Sequence, residues 1–343
     1  CAAGDIGGVT AGAALGLLVT ANLTSRRCTL PEARDVPPTR WETLRQLLAV
    51  GVPITVGAAG MSLITLLDQA LVTDTLRNTL GYSAAETSAL YGQYTFGMTL
   101  FQLPPSFIYP VSVSLMPAIT AALTRQDRQA AGSAAGAALK LTTLAALPAG
   151  AGLSVLAEPI LLLLYPAVPD TARAAAYHLT FLGLACVFVC LMVATNGVLQ
   201  AYGRPYVPVL TLLCGGVMKI VTNYLMVGDP ATGIRGAAVS TLYCYALIVV
   251  LNLLAIARYV PERPGYIGLF AKPLLLTAVM ALAARSSYGL LAQVLPERWA
   301  VLPAILIAAA VYILLALATG AVTRQELLAL PKGEKIAQIL GLR

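Results

Sequence analysis

The sequence has 343 residues, of which 58% are hydrophobic and 11% charged, with a mean hydropathy of +0.80. Soluble globular domains carry about 25% charged residues, so the composition excludes one and marks an integral membrane protein. The net charge of +7 needs no nucleic-acid partner to explain it, because it gathers in alternate loops between apolar runs.

A helix needs about 20 apolar residues to cross a hydrocarbon core of about 30 Å. Nine such runs are predicted, near 3–21, 52–76, 87–112, 134–156, 174–199, 205–226, 234–257, 267–288 and 299–319. One set of alternate connections holds sixteen of the 22 Lys and Arg residues, among them Arg26, Arg27, Arg34, Arg125, Arg204 and Lys272. The other set holds only Arg77, Arg173, Arg235, Arg285 and Arg298. Short loops rich in Lys and Arg stay cytoplasmic, so the C-terminus is expected inside and the N-terminus outside. The six cysteines are scattered; Cys186 and Cys190 share a helix face but read as small apolar filler. The chain opens on Cys1 with no visible signal peptide, and is expected to be a fragment of a longer protein.

The first run is studded with Gly4, Gly7, Gly8, Gly12 and Gly16, small residues that let helices approach closely. It echoes Gly233 to Gly236 at the start of the seventh run. Close packing alone also produces such an echo, whereas a true repeat implies a further half ahead of Cys1. Residues 22–45 are polar, with Pro31, Pro37 and Pro38, and read as a cytoplasmic linker. Trp41, Leu44, Leu47 and Leu48 suggest an interfacial helix leading into the second run.

That second run carries Asp68 and Asp74, the latter read as a solvated helix end. The third continues from about 87 to 123 through Pro104, Pro105, Pro110 and Pro117, so it is expected to bend. Gln93 and Gln102 within it are candidates to border a cavity. Being nine residues apart they fall on opposite sides of a straight helix, so at most one borders the cavity, and each reads equally well as a helix-to-helix hydrogen bond. The fourth run holds Pro148, Gly150 and Gly152. The stretch after Leu156 is too short to cross and is expected at the external surface. One His without nearby ligands makes no metal site, so His178, the only histidine, reads as a satisfied interfacial residue in preference to a gating or buried polar one. The last two runs look like added helices facing lipid, and residues 321–343 like an amphipathic cytoplasmic tail.

Chemistry concentrates in the sixth run, where Lys219 stands inside a span. An ionisable group there costs about 2.5–3.5 kcal/mol on insertion scales and usually faces a cavity or a partner. Helix rise places Asp68 about 24 Å from the inner end of its run, Lys219 about 21 Å, Asn223 about 27 Å, and Ser240 and Thr241 about 10 Å from their external end. All five belong to the outer half of the membrane. Three uses fit: Asp68, Asn223, Ser240 and Thr241 bind a coupling cation or a proton; Lys219 is the counter-ion of Asp68; or Lys219 contacts a substrate phosphate. No cofactor is implied beyond coupling to sodium ion, proton or membrane potential. A membrane-embedded transferase is disfavoured, since the external loops offer only isolated acids such as Glu86, Glu158, Asp170 and Glu297.

The string Gly-Val-Leu-Gln-Ala-Tyr-Gly-Arg-Pro from Gly197, then Lys219-x-x-x-Asn223-Tyr-Leu, then Gly-Ile-Arg-Gly-Ala-Ala-Val-Ser-Thr from Gly233, carries a resemblance. Pro117-Ala-Ile, Asp127 and Leu156-Ala-Glu-Pro-Ile add to it. The chain resembles the polysaccharide-transporter branch of the multidrug/oligosaccharidyl-lipid/polysaccharide (MOP) flippase superfamily, and within it the stage V sporulation protein B group, relatives of lipid II flippases. The resemblance implies an all-α polytopic protein of nine transmembrane helices, the C-terminal part of a two-lobe alternating-access flippase in the cytoplasmic membrane. Residues 1–21 would be the last helix of the N-terminal lobe, 22–45 the linker, 46–257 the C-terminal six-helix lobe and 266–320 two additional helices. It implies a lipid-linked sugar as substrate, with membrane lipids and the remaining N-terminal helices as partners and no catalytic residue. A cation-coupled multidrug exporter of the same superfamily is the alternative; an intramembrane lysine favours an anionic substrate.

Overall fold

The structure, a computed structural model, describes residues 39–261 and 265–321, together with Gly16 and Leu18. The first run, the linker before residue 39 and the tail after Ala321 lie outside the described residues. The chain divides into two compact units, Cys1–Ala49 and Val50–Arg343. Ten α-helices follow one another and no strand occurs among the described residues. They are α1 (Arg40–Asp74), α2 (Ala84–Phe101), α3 (Leu103–Thr124), α4 (Arg128–Val155), α5 (Ala157–Leu164), α6 (Pro169–Ala201), α7 (Tyr206–Val227), α8 (Arg235–Tyr259), α9 (Tyr266–Leu291) and α10 (Glu297–Ala318).

Within the first unit, the N-terminus of α1 is closed reciprocally. Thr39 N–H donates to Glu42 Oε2 at 2.9 Å while Glu42 N–H donates to Thr39 Oγ1 at 3.4 Å, satisfying two amides that a helix start leaves unpaired.

Among the described residues of the second unit, six helices are long and apolar enough to cross a membrane: α4, α6, α7, α8, α9 from Gly268, and α10. The protein is therefore a multi-pass membrane protein. Helix α1 ends in a π-helical turn, Thr75–Thr79. The third run is divided at Gln102 into α2 and α3. Pro104 and Pro105 explain the break: without N–H groups they cannot continue the hydrogen bonding of α2, but they are tolerated in the first turn of a new helix.

The central element is α6, which packs against α2, α3, α4, α5 and α8 and is buried over most of its length. Its crossing with α4 is set by two glycines. A Cβ on Gly150 would meet Gly183 O at 2.5 Å, and one on Gly183 would meet Gly150 O at 2.8 Å. Beside them Ser154 Oγ donates to Thr180 O at 2.8 Å across the same interface. Small residues and a hydroxyl thus replace the hydrophobic driving force that lipid does not supply. The short α5 docks through Ala157, Leu161 and Leu162 against Ala172, Ala175 and Leu179 of α6. The α9–α10 pair joins α4 through Leu144, Met280, Val301 and Tyr312.

Candidate functional site: a buried ion pair between α1 and α7

Helix α7 presents two unlike faces. Val217, Ile220, Val221, Tyr224 and Leu225 are exposed, whereas Gly215, Gly216, Lys219 and Asn223 are buried. Gly215 sits where a Cβ would meet Ile248 Cγ1 of α8 at 2.4 Å, and Gly216 where one would meet Ile64 Cδ1 of α1 at 3.0 Å. Two consecutive small residues therefore bring α7 close to a helix on either side. Lys219 and Asn223, one turn and two turns further on, enter the gap so made.

There the Lys219 ammonium lies 3.0 Å from Asp68 Oδ2 of α1. Asn223 Nδ2 donates to the other carboxylate oxygen, Oδ1, at 2.6 Å. From α2, Tyr94 OH reaches Asp68 Oδ2 at 3.4 Å and Thr241 Oγ1 at 3.2 Å. From α8, Ser240 Oγ donates to Asn223 Oδ1, while Ser240 and Thr241 both donate to Ala237 O, at 2.9 and 2.8 Å. Four helices thus meet in one hydrogen-bonded cluster around Asp68. Asp68 is 4% exposed and Lys219 5%, so the pair is withdrawn from solvent. Charges this buried must be matched, and here each is matched by the other and by neutral dipoles around it.

Asp68, Lys219, Asn223, Ser240 and Thr241, the five residues singled out from the sequence, meet in this one cluster. Gln93 and Gln102 stand outside it: Gln93 is half-buried one residue before Tyr94, and Gln102 is exposed at the α2–α3 break. Tyr94 was not anticipated, since a tyrosine in an apolar run reads as core. His178 needs correction. It is 1% exposed rather than interfacial, its ring edge-on to Tyr94 at 5.7 Å, and Nδ1 has no hydrogen-bond partner. The tight α2–α6 approach, with Gly97 against His178 Cβ and Leu182, buries it.

A second polar knot lies further along α8. Asn252 accepts from Thr211 Oγ1 of α7 at 2.7 Å and donates to Thr195 Oγ1 and Asn196 Oδ1 of α6 at 3.0 and 2.8 Å. All of its described bonds run between helices, so it fixes the register of three spans. The only sequence signal was a lone amide in the apolar middle of α8.

Helical spans, small-residue crossings and a polar knot carrying a buried ion pair define a polytopic helical membrane protein. The chain belongs to the lipid II flippase MurJ family, whose model matches residues 5–321. It is 27% identical over 311 residues to the uncharacterized membrane protein YabM of Bacillus subtilis, covering 88% of this chain and 56% of that protein. It is 23% identical over 221 residues to stage V sporulation protein B of the same organism, covering 64% of this chain and 42% of that protein. The chain thus spans about half the length of these relatives. Among solved structures, a lipid II flippase MurJ in an inward closed conformation shares the fold with a TM-score of 0.63 and 18% identity, over 83% of this chain and 56% of that one. A MOP-superfamily transporter from Pyrococcus furiosus matches with a TM-score of 0.50 at 18% identity, over 86% of this chain and 69% of that one.

Proposed function

We propose that this protein is a flippase that moves a lipid-linked sugar precursor, of the peptidoglycan or spore-cortex type, across the cytoplasmic membrane by alternating access. The observation that carries the reading is the match of residues 5–321 to the lipid II flippase family. On this reading residues 46–257 make up one six-helix lobe, α9 and α10 are additional spans, and the full count is nine, with the run expected near 3–21, α1 and the broken α2–α3 segment counted beside α4, α6, α7, α8, α9 and α10. The N-terminus is external and the C-terminus cytoplasmic, in keeping with the Lys and Arg bias of alternate loops.

Lys219 and Asp68 serve as a latch between α1 and α7. Closed, the pair is neutral and buried; opened, it frees an ammonium for the pyrophosphate of the substrate, a compact charge suited to phosphate. Asn223 and Tyr94 hold the Asp68 carboxylate, Ser240 and Thr241 brace those two in turn, and one of Gln93 and Gln102 borders the path. A cation-coupled drug exporter is less well supported, because Asp68, the only buried carboxylate among the described residues, is already matched by Lys219. The test is translocation of a fluorescent lipid-linked sugar pyrophosphate in vesicles containing the protein, read as protection of the label from an impermeant quencher. Vesicles with the protein should equilibrate the label across both leaflets; equality with protein-free vesicles counts against the reading.

A further inference from the structure

Around Asp68 there are more oxygen atoms than one ammonium needs. Both carboxylate oxygens, Tyr94 OH, Asn223 Oδ1, the hydroxyls of Ser240 and Thr241 and the Ala237 carbonyl are linked by hydrogen bonds across four helices. An all-oxygen shell of one carboxylate, amide and carbonyl oxygens and hydroxyls is what hard cations use as ligands. Yet the charge of that shell is already balanced. Asp68 supplies one negative charge, and the Lys219 ammonium at 3.0 Å supplies one positive charge. A free cation added beside them would leave an uncompensated positive charge in a site withdrawn from water.

Space leads to the same conclusion. Next to the pair is a cavity of about 10 Å³, lined by Ile64, Leu67, Asp68, Gly216, Lys219 and Asn223 among others. That volume is at the lower limit for a single water molecule. It cannot hold a second cation with its ligands while the lysine side chain is in place. Cutting that side chain back to Cβ removes the ammonium and its stem from the cavity wall and opens the space to Asp68.

We propose that Lys219 is a tethered cation occupying the place of a free monovalent ion, so that the site binds no coupling cation as it stands, and that truncating Lys219 converts it into a sodium site. The inference concerns the site alone and holds whatever substrate is moved.

The test is thermal unfolding of the full chain in detergent, in sodium chloride and in choline chloride at equal ionic strength. The wild-type midpoint should be the same in both salts. Lys219→Ala should unfold at lower temperature in choline and gain about 2–4 °C in sodium, saturating as the ion passes its Kd about tenfold. Lys219→Met, neutral but long enough to fill the space, should show no sodium response. Adding Asp68→Asn to Lys219→Ala should abolish the gain. A sodium-dependent midpoint in the wild type overturns the proposal, as does a Lys219→Ala protein indifferent to sodium. If Lys219→Ala does not fold in choline, folded yield becomes the readout: recovery in sodium supports the tethered-cation account, and equal failure in both salts overturns it.

Discussion

Lys219 Nζ of α7 lies 3.0 Å from Asp68 Oδ2 of α1, with both side chains almost wholly buried. Breaking such a pair from one side strands a charge, which typically costs about 3–5 kcal/mol, whereas removing both charges while keeping volume is often neutral or stabilising. Asp68→Leu and Lys219→Met in sodium-free buffer should each lower stability on that scale, while the double variant Asp68→Leu/Lys219→Met should lie near the wild type. A double-mutant cycle on denaturant unfolding in detergent measures this. Additive losses would show that the two residues do not act as a pair.

Tyr94 holds the same carboxylate through a hydroxyl that also meets Thr241. Tyr94→Phe keeps the ring against His178 and deletes only that hydroxyl, so a loss of about 0.5–1.5 kcal/mol is expected, rising toward 3 kcal/mol for a bond to a charged group. If Asp68 is already absent, as in Asp68→Leu/Lys219→Met, the same change should cost less.

The Asn252 knot separates structural from transport roles. Asn252→Leu leaves the hydroxyls of Thr195 and Thr211 without their amide partner, a loss of about 1–3 kcal/mol in unfolding measurements. The sodium response of Lys219→Ala should be unaffected, since Asn252 shares none of the Asp68 ligands.

The chain before α2 provides a pH-dependent cap. Ser83 and Glu86 form a capping box, and hydrogen bonds from the Ser83 hydroxyl and its backbone N–H hold the Glu86 carboxyl below its ordinary range. A lowered folded-state value means that the contribution is present above the unfolded value of 4.5 and lost as pH falls through the folded one. Glu86→Gln should therefore lose a little thermal stability at neutral pH and decline less steeply in acid, where it converges with the wild type; an unchanged acid limb would show that the cap contributes nothing there.

Much of this site is legible in the sequence because polar atoms in an apolar run are costly and helix rise fixes their depth. Lys219 and Asn223 declare a shared face by their spacing of four, and the depths of Asp68, Ser240 and Thr241 put them in the same layer. Tyr94 is not legible, since its ring belongs equally to a core and only the fold shows its hydroxyl turned to Asp68. Gln93, next to it, stands about 100° around the helix and so points elsewhere. His178 misleads for a related reason: depth along a helix says nothing of the neighbour that covers it, here the Gly97 face of α2. The division of the third run at Gln102 follows from Pro104 and Pro105, and the sequence predicts a bend there, but whether prolines kink one helix or start another depends on packing.

The central claim is that the Lys219–Asp68 pair works in transport and not only in folding. Its most direct measurement is translocation of a lipid-linked sugar pyrophosphate by wild type, Lys219→Ala and Asp68→Leu/Lys219→Met, each brought to the same amount of folded protein in the vesicles. The account predicts that both variants lose translocation, even though the double variant is as stable as the wild type. Wild-type translocation by the stable double variant would contradict it and leave the pair a structural tie between α1 and α7.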